Sequence, residues 1–158
     1  MMPVFDTYRD FIPDFCDFKE SLKGPLPSHV RVNRLRTSPD RVKERLWERG
    51  ITLEASTAHD NTLFYVPGLD SLGKLPEYFL GYLHPQALTS SLASLVLLPA
   101  ENATLLDLCA APGGKTAHCA SLMNNTGLIV ANELYAERVR ALGHTLSRLA
   151  ILNTVVTG

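Results

Sequence analysis

The sequence predicts an α/β chain in two parts: a small α+β module over residues 1–80, then the start of a doubly wound parallel sheet over residues 81–158. Three observations predict it. Apolar runs at 103–108, 128–132 and 153–157 alternate with helix-compatible segments at 114–123 and 134–149, the rhythm of strands joined by crossover helices. A turn of small residues, Cys109-Ala-Ala-Pro-Gly-Gly-Lys115, separates the first of these strands from the first helix. Before residue 80 the rhythm is different, with short strand candidates grouped around one strong helix.

That helix begins at Ser38-Pro39, with proline near the first helical position, and Gly50 ends it. Leu46 and Trp47 on it are expected in the core. Val30-Arg-Val-Asn33 reads as a strand, and 51–54 and 63–66 read as two more. Residues 68–76 form a turn-rich connection, after which Tyr82-Leu-His-Pro-Gln86 leads into a helix over 85–98 that Pro99 terminates. His84 reads as a loop histidine at the entrance to the second part. In the second part, Val139, Leu142, Leu146 and Leu149 give the last helix an apolar stripe at near-helical spacing.

The turn carries the chemistry. Backbone N–H groups at a helix start face outward, and small residues let a ligand approach them closely. A P-loop is excluded: Gly114-Lys115-Thr116 supplies its end, but Cys109 stands where the pattern demands glycine. The dinucleotide pattern also fails, because Gly113 and Gly114 are adjacent and no third glycine follows in register. What fits is a nucleoside-type cofactor across the strand ends. Glu133, at the tip of the second strand, lies near the spacing of roughly 20 residues at which an acid accepts ribose hydroxyls.

The stretch LDLCAAPGGKT, followed by ASLMNNTGLIVANE and a helix carrying Arg138, resembles the Nol/Nop/Sun (RsmB/RsmF-like) family of S-adenosylmethionine-dependent RNA cytosine-5 methyltransferases. GYLHPQALTSSLASLVLLP is similar to that family's lead-in helix, and Arg31-Val-Asn33 resembles the signature of its N-terminal RNA-associated module. The resemblance implies a Rossmann-like class I methyltransferase sheet, here its first half in the order 3-2-1. It implies S-adenosyl-L-methionine as cofactor, held by Cys109, Ala110, Ala111, Pro112, Gly113, Gly114, Lys115, Glu133 and Arg138. It implies RNA, ribosomal or transfer, as partner, contacted through Arg31, Asn33, Arg34 and Arg36, and a monomer at full length.

It also implies a thiolate that adds to C6 of cytosine before C5 takes the methyl group. The family's catalytic cysteines stand in Pro-Cys and Thr-Cys contexts. This chain has only Cys16, Cys109 and Cys119, none in such a context. No catalytic residue is therefore assigned within it. The chain is expected to be the N-terminal portion of a longer protein, truncated and inactive by itself, with the catalytic cysteine downstream of Gly158. A catalytically inactive RNA-binding module is the alternative.

Between Arg31 and Arg49 stand seven Lys/Arg against three acids, a patch able to track a phosphate backbone, whereas the net charge of the whole chain is −1. No metal-ligand spacing is present. The N-terminus lacks the apolar segment of a signal peptide, and no run approaches the ~20 apolar residues of a membrane span. Three cysteines without framework spacing fit a reducing compartment, so the cytoplasm is expected.

Overall fold

A computed structural model describes residues 3–24, 28–69 and 71–158. Two sheets organise them. The first is antiparallel, in the order β2-β3-β1-β4, built from β1 (His29–Val32), β2 (Glu54–Ala55), β3 (Leu63–Tyr65) and β4 (Leu83–Pro85). The second is parallel, in the order β5-β6-β7, built from β5 (Thr104–Asp107), β6 (Leu128–Asn132) and β7 (Thr154–Thr157). This is the expected 3-2-1 half-sheet.

Six α-helices accompany them: α1 (Phe15–Ser21), α2 (Pro39–Trp47), α3 (Pro76–Phe79), α4 (Leu88–Leu97), α5 (Gly114–Leu122) and α6 (Ala136–Arg148). The start of α2 is set locally. The Ser38 hydroxyl accepts from the Arg41 N–H at 3.4 Å, and Pro39 supplies a fixed φ. Gly50 (φ 73°) turns the chain, and the Ile51 N–H returns to the Leu46 carbonyl at 2.9 Å. Val42 and Leu46, one helical turn apart, point into the core formed with Val30, Val32, Phe64, Val66 and Leu83. Trp47 lies about 100° further round the helix and is 71 % exposed, so the core position expected for it is corrected.

The region around Pro85 also departs from expectation. Residues 83–85 form a strand rather than the beginning of a helix, with Val30 opposite Pro85 and Arg31 opposite His84. Proline biases the residue before it toward extended backbone, and β4 is an edge strand, where a missing N–H is tolerated. Helix α4 therefore starts only at Leu88, and it ends at Leu98, a left-handed residue (φ 42°) before Pro99. β4 pairs with β1, so the first sheet runs past the 80/81 boundary. The strand expected at 51–54 shrinks to Glu54–Ala55, because Ile51 and Leu53 pack on the core instead of pairing.

The two sheets are joined by polar contacts. Asn33 Nδ2 donates to the Leu149 carbonyl (2.7 Å) and the Gly81 carbonyl (3.0 Å). Arg148 donates to the carbonyls of Tyr78 (2.7 Å) and Leu83 (3.0 Å). At Gly81 (φ 69°) a Cβ would stand 2.0 Å from the Arg148 carbonyl oxygen, so only glycine permits this approach. No helix among the described residues is long and apolar enough to cross a membrane.

Candidate functional site

β5 ends at Asp107, and its carboxylate organises the turn that follows. One oxygen accepts from the Cys109 N–H (3.3 Å) and the other from the Thr116 hydroxyl (2.7 Å), so strand end and helix start are clamped together. The sequence reading missed Asp107; its position at the strand end, nine residues before Thr116, was the available signal. The Ala110 N–H donates to the Asn132 carbonyl (3.0 Å), tying the turn to the end of β6. Gly113 (φ 101°) forms the N-cap of α5 without a capping side chain, which leaves the first N–H groups of the helix to an outside partner. A Cβ on Gly113 would come within 3.0 Å of Leu142 and 3.3 Å of Thr145.

Glu133 follows β6 and is only 3 % exposed. Its Oε1 accepts from the Tyr135 N–H (3.2 Å) and from Arg138 Nη1 (3.3 Å). Arg138 Nη1 is also 3.3 Å from Oε2, but Oε2 is buried and accepts no hydrogen bond among the described residues. Arg138 Nη2 donates to the Ala111 carbonyl at 2.8 Å, so one guanidinium spans the acid and the turn. The structure thus brings Cys109–Lys115, Glu133 and Arg138 to one end of the parallel sheet.

Residues 94–158 match the family of the 16S rRNA methyltransferase RsmB/F. The human 28S rRNA (cytosine(4447)-C(5))-methyltransferase is 32 % identical over 99 % of this chain, which covers 21 % of that protein. Over these residues and along nearly its whole length, the chain is similar to the RsmB/F methyltransferases. The tRNA (cytosine(49)-C(5))-methyltransferase of Pyrococcus abyssi is 34 % identical over 92 % of the chain and 47 % of its own length. Among solved structures, a methyltransferase homolog from Pyrococcus horikoshii superposes with a TM-score of 0.81 at 32 % identity, covering 87 % of this chain and 45 % of that one. The chain thus spans less than half the length of each of these relatives.

The four residues expected to meet RNA divide. Arg34 and Arg36 are exposed. Arg31 and Asn33 are each 1 % exposed. Arg31 Nε donates to Gln86 Oε1 (2.9 Å), and Asn33 joins the two sheets as described above. Burial pulls the Arg31 guanidinium down to about 10, with Arg148 opposing its charge and Asp60 favouring it.

His84 lies buried on β4, not in a loop. Its Nδ1 is 2.9 Å from Arg148 Nη2, which fixes it as the acceptor and leaves Nε2 beside Gly114. Burial first, then the charges of Arg31 and Arg148, lower it to about 3, so this imidazole is neutral at ordinary pH. His118, on α5, lies 3.6 Å from Asp60, and burial likewise lowers its pKa. A cavity of about 650 Å³ opens beside this pair, bounded by Arg34, Asn61 and Ser121 and distinct from the glycine turn. The turn and the buried acid define the candidate site, because they bring uncapped helix N–H groups and a carboxylate oxygen without a hydrogen bond together among the described residues.

Of the cysteines, Cys16 and Cys109 are exposed and Cys119 is buried, where desolvation raises its pKa. A buried, protonated thiol is a poor nucleophile. Among the described residues no cluster could hold a metal ion.

Proposed function

We propose that this chain is the cofactor-binding portion of an RNA (cytosine-5-)methyltransferase that uses S-adenosyl-L-methionine on ribosomal or transfer RNA. The observation that carries the reading is Glu133. It is a buried carboxylate with one oxygen hydrogen-bonded by Tyr135 and Arg138 and the other in ion-pair reach of Arg138 but accepting no hydrogen bond, at the strand tip beside the glycine turn. A ribose hydroxyl is the partner that such an oxygen fits.

The bound cofactor supplies an activated methyl group on sulfur. Ala110, Ala111 and Gly113 keep the turn low enough for its close approach, with Cys109, Pro112, Gly114 and Lys115 along the same cradle. The outward N–H groups at the start of α5 face its polar end. Arg138 pairs with Glu133 and donates to the Ala111 carbonyl, so acid and cradle keep their spacing. The thiolate that attacks C6 of cytosine is placed outside these 158 residues: Cys109 belongs to the cradle, Cys119 is buried, and Cys16, though exposed, follows Phe15 and stands in neither a Pro-Cys nor a Thr-Cys context.

The N-terminal module meets RNA through the exposed cations of its basic segment. Three free thiols fit a reducing cytoplasmic setting. Equilibrium dialysis with methyl-labelled S-adenosylmethionine, on a version of the protein extended beyond Gly158, tests the cradle. Binding that survives both Glu133→Gln and Gly113→Ala unchanged contradicts it.

A further inference from the structure

Seven cations lie between Arg31 and Arg49, and the structure sorts them. Arg31 is buried, and Lys43 Nζ sits 5.0 Å over the Phe64 ring. Arg45 and Arg49 converge on one acid from another part of the chain, Glu77 at the start of α3. Arg45 Nε is 3.1 Å from Glu77 Oε1, and Arg49 Nη1 is 2.9 Å from Glu77 Oε2. The Glu77 side chain is 0 % exposed, while the two arginine side chains are 42 % and 41 % exposed.

This arrangement is asymmetric. The carboxylate has spent both oxygens, but each guanidinium has spent one donor group. Arg45 keeps Nη1 and Nη2, and Arg49 keeps Nε and Nη2, without further hydrogen bonds among the described residues. With both side chains more than two-fifths exposed, water or a ligand reaches the pair. One negative and two positive charges leave the cluster with a net charge of +1. Asp40, Glu44 and Glu48, the acids nearby in sequence, form no ion pair with either arginine.

We infer that Arg45 and Arg49 are a preset clamp for one backbone phosphate of RNA, with Glu77 as the positioning residue that holds both guanidinium groups in place. The inference rests on the RNA reading above and names where that RNA is gripped. Guanidinium forks match phosphate oxygens in pairs, and a buried carboxylate that fixes two of them beforehand removes much of the side-chain entropy lost on binding. One uncompensated positive charge fits one phosphate.

The test uses the full 158-residue chain and a fluorescein-labelled, single-stranded 20-nucleotide RNA of mixed sequence, with anisotropy read over a KCl series. Log affinity falls with log salt by about 0.7 for each phosphate neutralised on a single strand. The variant Arg45→Gln/Arg49→Gln/Glu77→Gln, which removes the buried charge together with its partners, is expected to flatten the slope by about 0.7. Arg45→Lys/Arg49→Lys keeps the charges, so it is expected to keep the slope while losing affinity at every salt concentration. A merely structural role predicts a changed melting temperature with an unchanged slope. That result in a folded variant, while the unaltered chain binds RNA, overturns the clamp alone. Absence of any salt-sensitive binding by the unaltered chain overturns the RNA reading as well. If the triple variant does not fold, the lysine pair decides: affinity equal to that of the unaltered chain overturns the clamp.

Discussion

Glu133 is worth most at the scale of single residues. A hydrogen bond from a ribose hydroxyl to a buried carboxylate contributes about 1.5–3 kcal/mol, so Glu133→Gln should weaken cofactor binding by about tenfold or more, read by dialysis. Gly113 carries a different burden. Alanine there would hold φ near 101° and push its Cβ to 3.0 Å from Leu142. Gly113→Ala should cost about 1–3 kcal/mol in urea unfolding, before any loss at the site. His84 sets a pH dependence. Its folded pKa of about 3 lies below its unfolded value of 6.5, so the unfolded chain takes up the proton first. Its contribution to stability is complete above pH 6.5 and is lost as pH falls toward 3. His84→Asn keeps an oxygen for Arg148 and removes the titration, so between pH 7 and 4.5 its urea midpoint should fall less than that of the unaltered chain.

At the scale of elements, the join between the two sheets depends on Asn33 and Gly81. Asn33→Ala would leave the carbonyls of Leu149 and Gly81 without their donor, and thermal unfolding should show a loss of about 1–3 kcal/mol. Much of this level was legible in advance. The strands and helices of 103–157 follow from period and punctuation, because each element's pattern is local. The start of α2 was readable for the same reason, from Ser38 and Pro39 alone. What could not be read was long-range. Asn33 meets Leu149, and Glu77 meets Arg45 and Arg49, across stretches of chain that carry no spacing rule. The buried Arg31 looked like a surface cation because its partner, Gln86, comes from a strand whose pairing the sequence does not announce. Trp47 misled for a simpler reason: large apolar residues are usually inside, and here two smaller ones, Val42 and Leu46, fill the face that packs.

At the scale of the whole molecule, the two sheets divide the labour. The parallel half carries the proposed cofactor cradle, and the antiparallel half carries exposed cations and grips the end of α6. Among the described residues β5 pairs only with β6, and Leu106 and Leu108 at this side of the sheet are exposed. The cradle and the attacking thiolate are proposed to come from different parts of the protein. Incubation of the 158-residue chain with methyl-labelled S-adenosylmethionine and total RNA, beside a version extended to the length of its relatives, tests that division most directly. Label at cytosine C5 is expected with the extended protein and none with the 158 residues alone. Label transferred to RNA by the 158-residue chain by itself would contradict it.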